Sequence, residues 1–291
     1  MVLVDLECFI IIRNRYSELR RPMRPIDAKD YLKQIMGDRT MILTIGAVVK
    51  DDQGRQYILD ELLGSGGFGS VFKAHRDDGN IYAVKALVPT FDDDKAYLSF
   101  KNEIAQSLLV KSDNVIKYTY AHDGERYPNL PPYIIMEYAD GGTLRDLLNA
   151  QQHTPFELST LVGYYRQLAS GMLAISKSLV HRDIKPENVM IEKSGRVVLI
   201  DFNASRLESS AKKDTVIMGT VGYASPEQLG LSQTDARTDV YAAGVLYNVM
   251  LTGQHPSISI APGKAGRIVR KCTAVNPNER YQTANELWSA L

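Results

Sequence analysis

A glycine-rich tract decides which folds are open to this chain. Gly64-Ser65-Gly66-Gly67-Phe68-Gly69-Ser70-Val71 lies between segments that read as strands. Before it, Ile45–Lys50 and Gln56–Leu63 flank the turn residues Asp51-Asp52-Gln53-Gly54; after it, Ser70–His75 and Asn80–Leu87 flank Asp77-Asp78-Gly79. Short apolar runs punctuated by Gly and Asp are the pattern of β-hairpins. A dinucleotide-binding turn has its glycines open a helix. Here the tract joins strand to strand, which argues against that fold. Glycine lets a backbone come close to phosphate and face its N–H groups to the oxygens. Alone, the tract reads equally as a phosphate flap or as an ordinary Gly-rich hairpin.

The rest of the chain divides by texture into 1–40, 41–139 and 140–291, with no internal repeat. In the middle region a helix is expected over Phe91–Val110, then strands over Ile116–Ala121 and Tyr133–Glu137, giving a mostly antiparallel sheet that carries one helix. The last region predicts helices near Thr143–Ala150, over Glu157–Ser178, over the apolar run Asp239–Leu251 and over Thr283–Leu291, with short strands at Asn188–Glu192 and Arg196–Ile200. In the first region Asp27 can cap a helix bearing Tyr31, Leu32, Ile35 and Met36, closed by Gly37. Arg13, Arg15, Arg20, Arg21 and Arg24 face only Glu18, as a docking surface for an acidic partner or lipid headgroup, or as a solvated helix face.

Composition excludes several classes. Of 291 residues, 44% are hydrophobic and 23% charged, so neither disorder nor a fibrous repeat fits. Lys+Arg and Asp+Glu balance at 34 each, which argues against a dedicated nucleic-acid binder. Cys8 and Cys272 give neither a disulfide framework nor metal-ligand spacing, as expected of a reducing, cytoplasmic setting. No apolar run reaches the roughly 18 residues of a membrane helix, and the opening stretch lacks a basic leader before its apolar residues, so residues 1–291 are expected to be soluble, with no membrane segment within them.

Chemistry enters with Ala83-Val84-Lys85. A lysine inside an apolar strand is costly unless paired, and Glu103, 18 residues on, can supply the pair. Such a pair beneath a Gly-rich flap can hold a nucleotide's phosphates. Further along come His181-Arg182-Asp183-Ile184-Lys185-Pro186-Glu187-Asn188, then Asp201-Phe202-Asn203, then Ser225-Pro226-Glu227. In this order the set resembles a eukaryotic-type Ser/Thr protein kinase domain, of the compact bacterial kind, from about Tyr57 to Leu291. The resemblance implies an α+β, two-lobed protein kinase fold: an antiparallel N-terminal sheet lobe with one main helix (45–138) and a larger helical C-terminal lobe (139–291), behind a helical, locally basic extension (1–44).

The resemblance also implies roles. Leu63, Gly64, Ser65, Gly66, Gly67, Phe68 and Gly69 resemble the loop over the ATP phosphates, and Lys85 with Glu103 the phosphate-holding pair. Met136 resembles the gatekeeper, Glu137 and Ala139 the hinge offering backbone groups to adenine, and Val71, Ala83 and Met190 the apolar sandwich around it. Asp183 resembles the catalytic base, Lys185 the lysine steadying the transferring group, and Asn188 and Asp201 the ligands of Mg²⁺, with Mn²⁺ as a substitute. Thr220 resembles the threonine that bonds the Asp–Lys pair, Glu227 and Arg280 a bracing ion pair, and Asp239 the anchor of the catalytic loop. A lysine two residues after the catalytic aspartate is typical of Ser/Thr-directed members. Arg182 resembles the receiver of a phosphate from the segment 201–227, where Thr215 is the first candidate and Ser210 and Ser209 follow. Protein substrates and trans-autophosphorylation through a homodimer follow from the same resemblance. The rival readings are a nucleotide-binding scaffold without turnover and a small-molecule kinase; Arg182, Lys185 and Ser225-Pro226-Glu227 argue against the second.

Three departures stand out. Asn203 replaces the family's usual glycine, Ser107 puts a small polar residue where the helix after Glu103 usually has an apolar one, and the stretch Pro256–Cys272 is short where the family usually has another helix and longer loops. The extension is expected to cover surface left exposed there or to support the Ser107 helix.

Overall fold

The computed structural model describes residues 42–66, 69–87, 100–101, 103–105, 110–124, 126–127, 130–151, 156–202, 204–207, 220–230 and 233–291. Residues 1–41, Gly67, Phe68, Ser107, Asn203, Ser209, Ser210 and Thr215, on which expectations were placed, lie outside these.

Six strands build the first sheet: β1 (Val48–Lys50), β2 (Gln56–Gly66), β3 (Gly69–Arg76), β4 (Ile81–Ala86), β5 (Tyr118–His122) and β6 (Tyr133–Glu137). All neighbours are antiparallel in the order β1-β2-β3-β4-β6-β5. One face carries a core of Val49, Tyr57, Leu59, Phe72, Ala74, Val84, Ala86, Tyr133 and Ile135. β2 outruns its expected end at Leu63, because the ladder continues through Ser65↔Ser70 to Gly66↔Gly69. The first half of the glycine tract is thus the end of a strand, bent by register shifts at Leu59/Glu61 and Leu62/Gly64. Gly69 has φ 136°, and a Cβ there would lie 2.3 Å from the Ala86 carbonyl oxygen, so only glycine fits. Of the expected helix over 91–110, residues 100, 101 and 103–105 are helical and Val110 is not.

The remainder is mainly helical. β7 (Gly142–Thr143) leads into α1 (Leu144–Ala150), started by a capping box between Thr143 and Asp146. α2 (Leu158–Ile175) buries the stripe Leu161, Tyr165, Leu168, Met172 and Ile175. β8 (Leu179–Val180), β9 (Val189–Ile191), β10 (Val197–Leu199) and β11 (Arg206–Leu207) form two small antiparallel ribbons, β10-β9-β7 and β11-β8. α3 (Ala236–Thr252), capped by Asp235 and ended at Gly253 (φ 69°), is buried from Thr238 to Met250 except at Tyr241.

The short stretch Pro256–Cys272, to which no helix was assigned from sequence, contains α4 (Gly263–Cys272), and α5 (Ala284–Ala290) follows with its Thr283 cap. Gly263 and Gly266, weak helix formers, and four basic residues obscured the buried stripe Gly266, Ile268, Val269 and Cys272. α4 sits close on α3 because position 244 is glycine: a Cβ there would lie 2.2 Å from Cys272 Cβ.

Residues 41–291 form one unit. A single apolar cluster runs through α1–α5 and takes in Ala83 and Met136 of the sheet, with Val71 packed against it. The architecture is the expected one: an antiparallel sheet lobe on a larger helical lobe. Among the described residues, no helix is long and apolar enough to cross a membrane.

Candidate active site

Lys85 sits on β4, opposite Val71 and Ile134 in the flanking strands. It is 7% exposed, and its Nζ donates to Glu103 Oε1 and Oε2 at 3.0 and 2.9 Å and to Asp201 Oδ1 at 3.2 Å. Residues far apart in the chain thus share one buried cation. Burial works against the Lys85 charge, but the Glu103 and Asp201 carboxylates outweigh it and hold the ammonium above the ordinary lysine value. Burial also pushes the Glu103 carboxyl up, opposed by Lys85. The Tyr118 hydroxyl donates to Glu103 Oε1 at 3.4 Å while its ring meets Phe202 edge-on, centroids 6.2 Å apart. Tyr118 was not singled out from the sequence; its place in a strand of aromatic residues disguised it as core.

A second hub surrounds Asp183. Its Oδ1 accepts from Thr220 Oγ1 at 2.8 Å, its Oδ2 accepts from Asn188 Nδ2 at 2.9 Å, and Lys185 Nζ lies 2.7 Å from Oδ2. Lys185 Nζ also donates to Thr220 Oγ1 at 2.9 Å, and Asn188 Nδ2 to the Asp183 carbonyl at 2.8 Å. Asn188 ends the short 3₁₀ turn Pro186–Asn188, which turns it back toward Asp183.

Backbone strain marks the same region. Arg182 and Asp201 are the non-glycine residues with positive φ among those described, at 69° and 67°. Left-handed geometry costs roughly 1–2 kcal/mol per residue and persists where neighbours enforce it. Asp239, buried at the start of α3, accepts the His181 and Arg182 N–H groups at 2.8 Å each. Burial pushes its carboxyl up, against the pull of His181 and those N–H groups. Gln228 Nε2 donates to the Arg182 carbonyl at 2.7 Å. Sequence reasoning passed over Gln228, although its place after Ser225-Pro226-Glu227, where it closes a capping box, was a usable signal. His181 Nε2 donates to the Ile200 carbonyl at 3.2 Å, and its ring lies tilted against Phe202 with centroids 5.2 Å apart, which ties the segment before Asp183 to the one around Asp201.

Between the lobes, Ala83 lies opposite Met136 and both are buried. Val71 is on β3 and Met190 half-buried on β9. The Glu137 carboxylate turns away to the Lys117 N–H (3.0 Å) and Arg196 (3.1 Å), and its own N–H donates to the Lys117 carbonyl at 2.9 Å, so its carbonyl is what it can offer to this space. Ala139 is 4% exposed, and its backbone N–H and C=O take no partner among the described residues. Buried backbone groups are nearly always paired, so these suit the polar edge of a flat ligand. Gly64, Ser65 and Gly66 are exposed at the end of β2, and Leu63 is 43% exposed beside them. Asn188 and Asp201 offer amide and carboxylate oxygens, donors that suit a hard divalent cation. Their segments are adjoined by the Ile200 N–H bond to the Asn188 carbonyl at 3.0 Å. Among the described residues no group of three His, Cys, Asp or Glu gathers.

Comparison with known sequences fits this geometry. The family described as "Protein kinase domain" matches residues 57–288. The chain is 33% identical over 274 residues to serine/threonine-protein kinase PknB of Mycolicibacterium smegmatis, covering 81% of this chain and 42% of that protein. It is 30% identical over 272 residues to PknB of Mycobacterium leprae, again 81% of this chain and 42% of the relative. A probable serine/threonine-protein kinase of Clostridium acetobutylicum is 29% identical over 276 residues, 85% of this chain and 40% of the relative. The chain thus spans about two fifths of the length of these curated relatives.

Proposed function

This chain belongs to the protein kinase family, and on that premise we propose that it transfers the γ-phosphoryl group of ATP to Ser or Thr hydroxyls of proteins. The observation that carries the reading is the Lys85 bridge. One ammonium holds Glu103 from the sheet lobe and Asp201 from the helical lobe, an arrangement that supports a phosphate site drawn from both.

In this reading adenine lies between Val71 and Ala83 above and Met190 below, beside Met136, with its edge on the Glu137 and Ala139 backbone. The Leu63–Gly69 hairpin, with Gly67 and Phe68, covers the phosphates, and Lys85 takes the α- and β-phosphates. The acceptor hydroxyl oxygen attacks the γ-phosphorus, the bond to the β,γ-bridging oxygen breaks, and the hydroxyl proton passes to the Asp183 carboxylate. Lys185 steadies the moving group, and Thr220 fixes Asp183 and Lys185 relative to each other. Asn188 and Asp201 would hold Mg²⁺, or Mn²⁺ in its place. When bound there, a divalent ion would supply charge neutralisation, which with positioning is most of what phosphoryl transfer needs.

The same reading divides the chain into sheet lobe 45–138, helical lobe 139–291 and extension 1–44, whose arginines fit an acidic partner. It places the reaction in the cytoplasm, where ATP is supplied. Thr215, then Ser210 and Ser209, are proposed targets of trans-autophosphorylation between two copies of the chain.

The test is labelled ATP with the purified chain, alone and with a generic acceptor protein, mapped by mass spectrometry beside Asp183→Asn. Label on Ser or Thr from the wild type only supports the reading. Nucleotide binding without transfer to either target overturns it.

A further inference from the structure

Thr220 opens a tight turn. The Tyr223 and Ala224 N–H groups both bond to its carbonyl at 2.9 Å. Because Thr220 Oγ1 lies 2.8 Å from Asp183 Oδ1, this turn walls the place to which an acceptor hydroxyl must come. Val221 at its crest is 98% exposed, and Gly222 has φ 91°. Exposed backbone of this kind keeps one shape only when fastened. Thr220 is fastened to Asp183 and Lys185, and Tyr223 is buried.

A further fastening comes from outside the turn. His255, half-buried in the loop after α3, has Nε2 2.8 Å from the Gly222 carbonyl oxygen. A carbonyl only accepts, so Nε2 carries the hydrogen and Nδ1 is the acceptor. Nδ1 receives the Ser257 N–H at 3.2 Å and faces the Ser257 hydroxyl at 2.7 Å, which locks the tautomer that the Gly222 bond needs. The loop itself is stiff. Ile258 and Ser259 N–H groups bond to the His255 carbonyl at 2.9 and 3.2 Å. Asn248 of α3, fully buried, donates to the Gln254 and Ser259 carbonyls at 2.9 and 2.7 Å. A rigid base, an oriented ring and the turn therefore form one line that ends at Thr220.

We propose that His255 is a positioning residue for the protein acceptor: it sets the Thr220–Tyr223 turn against which the acceptor peptide lies, and it has no part in holding the nucleotide. This rests on the phosphotransfer reading. The test is steady-state kinetics of the full chain with Mg²⁺, ATP and casein as the acceptor, for wild type, His255→Phe and His255→Gln. Phenylalanine keeps the ring without the donor, and glutamine keeps an amide donor at similar reach. The expected result is an acceptor KM raised about three- to tenfold in His255→Phe, the range one ordinary hydrogen bond supports. The KM for ATP stays within about twofold, and His255→Gln restores the acceptor KM. A purely structural tie would move both KM values or neither, and Gln would not rescue selectively; any of these results overturns the inference alone. A wild type that transfers no phosphate overturns the phosphotransfer reading and the inference with it.

Discussion

In the proposed reaction Asp183 and Glu103 do different work, and substitutions that keep their shape separate the two. Asp183→Asn keeps the side-chain volume but removes the carboxylate that accepts from Thr220 and pairs with Lys185. Transfer is expected to fall by roughly 10²–10⁴-fold, the contribution of a general base. ATP affinity by calorimetry should stay within a few-fold, because the proposed role of Asp183 is on the acceptor side. Glu103→Gln leaves Lys85 with Asp201 as its remaining carboxylate partner. The ammonium is then drawn toward Asp201 and away from the phosphates. Both kcat and ATP affinity should fall, by about tenfold or more in kcat/KM. Equal affinity in Glu103→Gln and wild type would remove Glu103 from the phosphate-holding role.

A single glycine, Gly244, sets a helix contact distance and Gly163 sets none, so the two should respond oppositely to alanine. Gly244 of α3 lies where a Cβ would meet Cys272 Cβ of α4 at 2.2 Å, so Gly244→Ala must push the helices apart. Overpacking of this kind costs about 1–3 kcal/mol, to be read from denaturant midpoints. Gly163, exposed in the middle of α2, has nothing within 4 Å of its Cβ position. Gly163→Ala should therefore stabilise by about 0.5–1 kcal/mol through helix propensity. If both variants destabilise, close packing is not what distinguishes the two sites.

At the scale of the whole molecule, the Glu227–Arg280 pair braces the helical lobe. Arg280 donates to the two Glu227 oxygens at 2.6 and 2.9 Å and to the carbonyls of Ala274, Arg237 and Val275. Removing one member of a buried pair costs about 3–5 kcal/mol, the loss expected for Arg280→Ala in chemical denaturation. Burial alone would raise the Glu227 and Asp235 carboxyls, but hydrogen bonds from Arg280 and Arg237 outweigh it and hold both below their ordinary values. A depressed folded-state value means stability present above the ordinary value and lost as pH falls through the folded one. Unfolding free energy should therefore decline below about pH 4.5, the ordinary glutamate value. Glu227→Gln should be less stable than wild type at pH 7, and the gap should narrow on acidification. A constant gap would assign the effect to packing. Much of this molecule was legible before any coordinates. A glycine tract between strands, a lysine in an apolar strand and ordered polar motifs are local patterns, and local patterns fix element type and candidate chemistry. Three things were not legible, each for a reason of distance. α4 hid behind glycines and basic residues because its stripe is apolar only against α3. The left-handed backbone at Arg182 and Asp201 is imposed by partners such as Asp239, 57 residues from Arg182. His255 acquires meaning only because folding brings it to a carbonyl 33 residues away. Sequence determined which groups exist and which elements they ride on; tertiary structure decided which of them share a proton, a charge or a wall, because those energies depend on separations of a few ångströms that no spacing along the chain encodes.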